Sequence, residues 1–176
     1  NDDIDIVMEL WKDSTIEAQN FIPDSYWLEN YDNVKNNYLP NSDTYVYEED
    51  GEIKGFVSLI ENIFIGGLFI RVDSQRKKIG SVILDFLKER NDKLQLTVYD
   101  KNERAMKFYL KSGFKILNTE IDEKTKEKEQ LLPKMQSEDG KISIVRDVDG
   151  KNIVIINDIR FRGKRKIKWD EVEKYL

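Results

Sequence analysis

An α/β fold is predicted for this chain by three features of its sequence. Apolar residues recur on a helical period in two separate stretches, two strand-like runs are joined through Asp50-Gly51, and an apolar strand runs into a cationic loop that opens a helix. The 176 residues suffice for one well-packed domain with a small appendage.

Taken in chain order, Ile4, Val7, Met8, Leu10, Trp11 and Ile16 fall on a helical period, with Asp2, Asp3 and Asp5 at the end where the helix dipole favours acids. A second helix is expected after Pro23, capped by Asp24 or Ser25 and ending at "YLPN". The run "TYVYEEDGEIKGFVSLI" reads as a hairpin. "FIGGLFIRV" reads as a strand buried on both faces, and Ile79, Val82, Ile83, Phe86 and Leu87 give the following helix its apolar face. "LQLTVY" is the next strand and "NERAMKFYLKS" the next helix, stopped by Gly113. "FKILNTEI" and "KEQLLPKM" close this part as a strand pair around the polar turn "DEKTKEK".

After Met135 the character changes. "QSEDGK" reads as a linker, "KISIVRDVDGKNIVIIND" as a hairpin through Asp149-Gly150, "RFRGKRKIK" as a basic segment and "WDEVEKYL" as the opening of a helix. The expected division is therefore a main domain over 1–136 and an appendage over 137–176.

Composition narrows the chemistry. The chain has no cysteine and no histidine, which removes disulfides, thiolate nucleophiles, most zinc sites and every Ser-His triad. Catalysis must then rest on Tyr, Asp, Glu, Lys or backbone dipoles, and no metal site is suggested. No apolar run approaches the ~20 residues of a membrane helix, so a soluble, cytoplasmic protein is expected, with no membrane partner. "NDDIDIVMEL" is acidic where a secretory signal would be basic, and the missing initiator Met suggests a trimmed chain. The first fifty residues hold thirteen acids against Lys12 and Lys35, whereas the remainder is net positive. Such an acidic region draws in a cationic substrate, or is simply a solvated surface.

The loop at "VDSQRKKIGSVIL" carries the sharper signal. Three consecutive cations are often a solvated surface, but here they stand at a strand-to-helix turn. The first turn of a helix has unpartnered N–H groups and the positive end of the dipole, and normally takes Asp or Glu. This one carries Arg76, Lys77 and Lys78 instead, so the negative charge is expected to arrive with a ligand, phosphate foremost.

Two motifs together resemble the GNAT superfamily of acetyl-CoA-dependent N-acetyltransferases, over roughly residues 4 to 135. The first is the family's loop of Gln or Arg, two variable residues, Gly, one variable residue, and Gly or Ala, which here reads Gln75, Arg76, Lys77, Lys78, Ile79, Gly80. Lys78 replaces the first glycine, so a left-handed backbone there would be penalised and the loop would tighten differently or bind less well. The second, "VYDKNERAMKFYLKSGF", keeps the family's spacing at Asn102, Ala105, Phe108, Tyr109, Gly113 and Phe114. Phe108, Phe114, Gly113 and Ala105 also serve as plain core, cap or tight packing; Tyr109 is harder to explain that way.

The resemblance implies a mixed, mostly antiparallel sheet flanked by helices, with two central strands splayed to admit the pantetheine arm of acetyl-CoA. The family's first strand is nearly absent. By the same implication Leu68, Phe69, Ile70 and Val72 offer backbone groups to pantetheine, and the amides from Gln75 to Ser81, through Ile79 and Gly80, cradle the pyrophosphate. Asn102, Ala105 and Phe108 complete the cofactor site, and Tyr109 is the general acid for the departing thiolate. Phe64 stands where many relatives carry a glutamate, so the general base is open: Glu61 is the nearest acid, beside a water relay or a base from the acidic helices.

The expected activity is acetyl transfer to a primary amine of a small molecule or peptide, with a cationic acceptor favoured, by a monomer or homodimer. The alternatives are a catalytically weak CoA-binding protein of the same fold, or a binding module using the basic tail. For that tail a solvated or partner-docking role ranks ahead of nucleic acid, given the acidic total.

Overall fold

The computed structural model describes residues 3–135 and the backbone of 142–146 and 153–156. Helix α1 (Asp3–Ala18) turns Val7, Met8, Leu10, Trp11, Ser14 and Thr15 inward, as its period predicts. Helix α2 (Asp24–Asn33) begins differently from expectation. Pro23 is itself the N-cap, with φ −55° and ψ 137°, and no side chain caps the helix; Asp24 lies inside the first turn, where its charge serves the dipole instead. The chain then passes through a π-helical turn, Val34–Tyr38, and a 3-10 turn, Leu39–Asn41.

Strands β1 (Asp43–Glu49), β2 (Glu52–Ile60), β3 (Phe64–Ile70), β4 (Lys93–Tyr99), β5 (Asn118–Ile121) and β6 (Lys128–Met135) form one sheet in the order β1-β2-β3-β4-β6-β5. All neighbours are antiparallel except β3 and β4, which are joined through helix α3 (Ile79–Arg90) and run parallel. Helix α4 (Glu103–Lys111) follows β4. The mixed, mostly antiparallel sheet expected from the resemblance is what forms. Asp50 and Gly51 both have positive φ, 55° and 75°, which makes the β1–β2 connection the mirror-image turn that suits twisted strands.

Each sheet face buries its own core. On one, Ile53 and Phe56 of β2 meet Val7, Met8, Leu10 and Trp11 of α1; on the other, Val57, Leu59, Leu94, Leu96 and Val98 meet Ile79, Ile83, Leu84 and Leu87 of α3 and Tyr109 of α4. A bulge at Lys54, the extra residue between Tyr47↔Gly55 and Glu48↔Ile53, lets Ile53 and Phe56 share a face. The strand buried on both faces is thus β2. In β3 only Ile65 is fully buried, a correction to the sequence reading whose cause is the loss of its neighbour. Helix α3 likewise buries Leu84 rather than Val82, which is 52% exposed.

The run "FKIL" is not strand. Lys115 and Leu117 donate to the carbonyls of Pro133 and Leu131, but Pro133 has no N–H to return on that side, so the ladder with β6 starts only at Asn118. Separately, β7 (Ile142–Arg146) and β8 (Ile153–Ile156) pair antiparallel, giving the two strands of the predicted hairpin. Its turn at Asp149-Gly150, the linker, the basic segment and the final helix lie outside the described residues. Among the described residues no helix is long and apolar enough to cross a membrane.

Candidate active site

The parallel pair β3 and β4 makes contact at one end only. Phe64 registers with Gln95, whose N–H donates to the Ile63 carbonyl at 3.0 Å, and no later residue of either strand pairs with the other. Beyond that point β3 keeps its hydrogen bonds to β2 while β4 stays with β6. The result is a wedge whose β3 wall, Ile65 to Ile70, is about 20 Å long at a strand's rise per residue. Unpaired strand edges carry N–H and C=O groups that need partners, so an extended polar chain fits the gap. Leu68, Phe69 and Ile70 lie on this wall; Val72 does not, because the strand ends at Ile70 and Val72 begins a 3-10 turn, Val72–Ser74.

At the mouth of the wedge stands the cationic loop. Gln75 donates its Nε2 to the Ile70 carbonyl at 3.1 Å, and Ser14 of α1 donates to the same oxygen at 3.2 Å. Gln75 therefore ties the loop to the strand end rather than pointing at a ligand. Arg76 and Lys78 both take left-handed backbone, with φ 63° and 66°, and Lys77 between them does not. Alternation of this kind turns consecutive N–H groups toward one point and makes an anion-binding concavity. Among the described residues no backbone N–H from Arg76 to Ser81 donates to a protein acceptor; the first bond of the new helix is Val82 N–H to the Lys78 carbonyl, 3.0 Å.

Lys78 is the N-cap of α3. The expectation that its Cβ would make the loop tighten differently is corrected: Lys78 adopts the left-handed geometry that glycine would have held, at a strain of about 1–2 kcal/mol. Among the described residues none of Arg76, Lys77 and Lys78 is ion-paired with a carboxylate, whereas Arg71, just before them, is held by Asp73 at 2.7 Å and Glu52 at 3.2 Å. Among the described residues the loop thus has three cations without a carboxylate partner and six N–H groups without a protein acceptor.

Gly80 brings the two motifs together. A β-carbon built there would stand 3.4 Å from Cζ of Phe108 and 3.8 Å from Cδ2 of Leu68, so loop, α4 and β3 converge at this point. Phe108 packs edge-on to Tyr109 at 5.1 Å between centroids, and Tyr109 to Phe114 at 5.6 Å. Tyr109 is buried, and burial alone pushes its phenol well above the ordinary tyrosine range. It is neutral at any physiological pH. Asn102 caps α4, its Oδ1 accepting from Ala105 N–H at 3.1 Å. Its Nδ2 is left to donate elsewhere.

A family model for the acetyltransferase (GNAT) domain matches residues 16–133. The chain belongs to the GNAT acetyltransferases. It is similar to the peptidyl-lysine N-acetyltransferase YiaC of Escherichia coli (strain K12), 35% identical over 119 residues that make up 68% of this chain and 82% of that protein. Among solved structures it is similar in fold to apo YjaB from Escherichia coli (TM-score 0.66, 24% identity, 77% of this chain and 93% of that one). It is also similar to the PaiA N-acetyltransferase of Thermoplasma acidophilum in complex with coenzyme A (TM-score 0.63, 18% identity, 77% and 94%). This GNAT chain is an acetyltransferase, and acetyl-CoA is the donor that its family uses. The wedge with its unpaired edge and the cationic loop with its free N–H groups fit that donor's extended arm and its pyrophosphate.

Two further features of this GNAT fold concern the other side of the wedge. Glu61 lies in the β2–β3 turn, left-handed at φ 51° and exposed, at the end where β3 and β4 still pair. Glu129 was not singled out by its sequence. It stands opposite Tyr99 in the β4–β6 ladder, and burial, followed by the charges of Asp122 and Glu120, raises its carboxyl above the usual range while the Thr97 hydroxyl opposes the shift as a hydrogen-bond donor. The signal was present in "KEQLLPKM": strict alternation sets Glu129 on the same face as buried Leu131. A separate groove of about 650 Å³ runs along α1, lined by Asp5, Glu9, Asp13 and Asp73 with Arg71, and shares only Val72 with the residues expected at the cofactor.

Proposed function

We propose that this acetyltransferase acetylates a primary amine on a lysine side chain of a peptide, or on a small cationic molecule, with Tyr109 as general acid. The observation that carries the donor half is the run of free N–H groups from Arg76 to Ser81 at the mouth of the wedge. Support for the acceptor comes from the likeness to YiaC, whose name specifies peptidyl-lysine, and from the acidic α1 with its groove. When bound, acetyl-CoA supplies an activated thioester acyl group. The chain's own residues do the rest: the loop fixes the phosphates, the β3 edge orients the arm, and apolar Leu68 and Phe108 keep water from its inner end. The buried Tyr109 holds a proton ready, because a phenolate is disfavoured in that apolar setting. Residues 137–176 are proposed to be an appendage that this chemistry does not need.

The test is turnover of acetyl-CoA with lysine peptides, polyamines and norleucine peptides, followed by mass spectrometry. Lysine-containing acceptors should gain one acetyl group and norleucine peptides none. Tyr109→Phe keeps the ring packing and should lower kcat by about 10²–10⁴-fold, the range of general acid catalysis, with the Kd for acetyl-CoA unchanged. A chain ending at residue 136 should instead keep the full chain's kcat and its Kd for acetyl-CoA. Undiminished kcat in Tyr109→Phe would remove that residue from the mechanism.

A further inference from the structure

The β4–β6 half of the sheet face that carries α1 and α2 holds a cluster that the donor site does not use. Thr97 and Tyr99 project from β4 on the face opposite Leu96 and Val98, and Glu129 joins them from β6. Burial raises the phenols of Tyr26 of α2 and Tyr38 of the π-helical turn, and the Glu129 charge adds to it in both, after that of Asp122 for Tyr26. Tyr38 is 44% exposed, and its ring reaches the β3 wall. Its Cε1 lies 3.3 Å from where a β-carbon on Gly66 would stand. Gly66 is the bulged residue of β3, the extra one between Ser58↔Gly67 and Leu59↔Ile65. The cluster therefore spans the wedge, from the β3 wall at Gly66 and Tyr38 to the β4 wall at Thr97, with Glu129 beyond.

Glu129 is a partly buried acid with the Thr97 hydroxyl as donor and, among the described residues, no cation paired with it. Asp122 is spent on its own turn, accepting from Lys124 N–H, Thr125 N–H and the Thr125 hydroxyl. Glu120 accepts from Asn118, and Glu127 pairs with Lys101 at 2.8 Å. The groups that act on Glu129 are Thr97, Asp122 and Glu120, with Tyr26, Tyr38 and Tyr99 around it, and no cation is among them. A half-buried carboxylate with like charges nearby and no countercharge is relieved by taking up a proton or by a cation supplied from outside.

We propose that Glu129 receives the acceptor amine and serves as its general base, the tyrosines forming an aromatic wall for the incoming ammonium. This rests on the acetyltransferase reading above. An ammonium approaching between Tyr38 and Tyr99 gains the carboxylate's charge and the π-faces of the rings. Having lost one proton to bulk water, the amine nitrogen bonds to the acetyl carbon and passes its surplus proton to Glu129, while the carbon–sulfur bond breaks and the sulfur takes the Tyr109 proton. Proton return from Glu129 to Tyr109 through water restores both groups. A base with a raised pKa is better matched to this task than an ordinary surface carboxylate.

The experiment compares the full-length protein with Glu129→Gln, and with Glu61→Gln as a control, on a lysine peptide. For Glu129→Gln, kcat/KM should fall about 100-fold, and the acidic limb of its pH profile, set above the usual carboxylate range, should flatten; the Kd for acetyl-CoA should not change. In a second measurement on the wild-type protein, Glu129 is titrated by carbon NMR with CoA present and no acetyl group. Addition of the lysine peptide should lower its pKa, and a norleucine peptide should not. Wild-type kcat/KM in Glu129→Gln, a limb that persists there and vanishes in Glu61→Gln, or a Glu129 titration indifferent to the lysine peptide would each overturn the assignment. Failure of the wild-type protein to acetylate any amine would instead bring down the reading beneath it, and the base with it.

Discussion

The two sides of the wedge are built on different principles. The donor side is made of backbone: N–H groups of one loop, the bare edge of β3 and the close approach that Gly80 allows to Phe108. The proposed acceptor side is made of side chains gathered from α2, the π-helical turn, β4 and β6, namely Tyr26, Tyr38, Thr97, Tyr99 and Glu129. A backbone site depends on local geometry more than on side-chain identity, and Lys78 takes the left-handed backbone at a position where the family motif has glycine. A side-chain site can be rewritten one residue at a time, so the part that chooses the amine is free to vary over a constant donor cradle.

The largest effect that separates the two sides is expected from Gly80→Glu. A β-carbon fits there at ordinary contact distance from Phe108, and an acid in the first turn of α3 favours the helix dipole, so the fold should be kept or slightly stabilised. The added carboxylate nevertheless occupies the place proposed for the pyrophosphate. The Kd for acetyl-CoA should rise by at least about 100-fold, roughly 2.7 kcal/mol, in calorimetric titration. Equal affinity in the variant would mean that the phosphates lie elsewhere and that the cationic loop is only a solvated turn.

The same contrast explains what the sequence disclosed. Loop and helix α4 are continuous segments, so the spacing of Gln75, Gly80, Asn102 and Tyr109 was legible as a motif. The half-exposed state of β3 could not be read, since an apolar run signals burial and only the divergence of β4, a tertiary event, exposes it. Glu129 stands between Lys128 and Gln130 near the start of its strand, and its burial depends on elements about a hundred residues earlier in the chain. The cap at α2 was misread for a smaller reason: Asp24 and Ser25 are good caps, but Pro23 already supplied the turn.

Asn102 tests whether a residue serves the helix, the donor or both. Asn102→Ala removes the acceptor for Ala105 N–H, which should cost about 1 kcal/mol and lower the Tm by about 2–4 °C. Asn102→Asp keeps the capping oxygen and deletes the Nδ2 donor. Its Tm should match the wild type, so any loss of acetyl-CoA affinity in that variant belongs to the donor contact alone. Should both variants bind acetyl-CoA normally, Asn102 is a cap and nothing more.

The smallest effect is at Lys78, where backbone and side chain pull in opposite directions. Lys78→Gly relieves the left-handed strain at φ 66° and should raise the denaturant midpoint by the equivalent of about 1 kcal/mol. It also removes one of three loop cations, so the Kd for acetyl-CoA should rise a few-fold at low salt and converge on the wild-type value as salt screens the exposed charge. Lys78→Ala loses the charge but keeps the strain, and should show the affinity change without the gain in stability. If Lys78→Gly instead binds more tightly at every salt concentration, the strained loop is held away from its binding geometry, and the lysine acts as a brake on the donor side rather than as part of its charge.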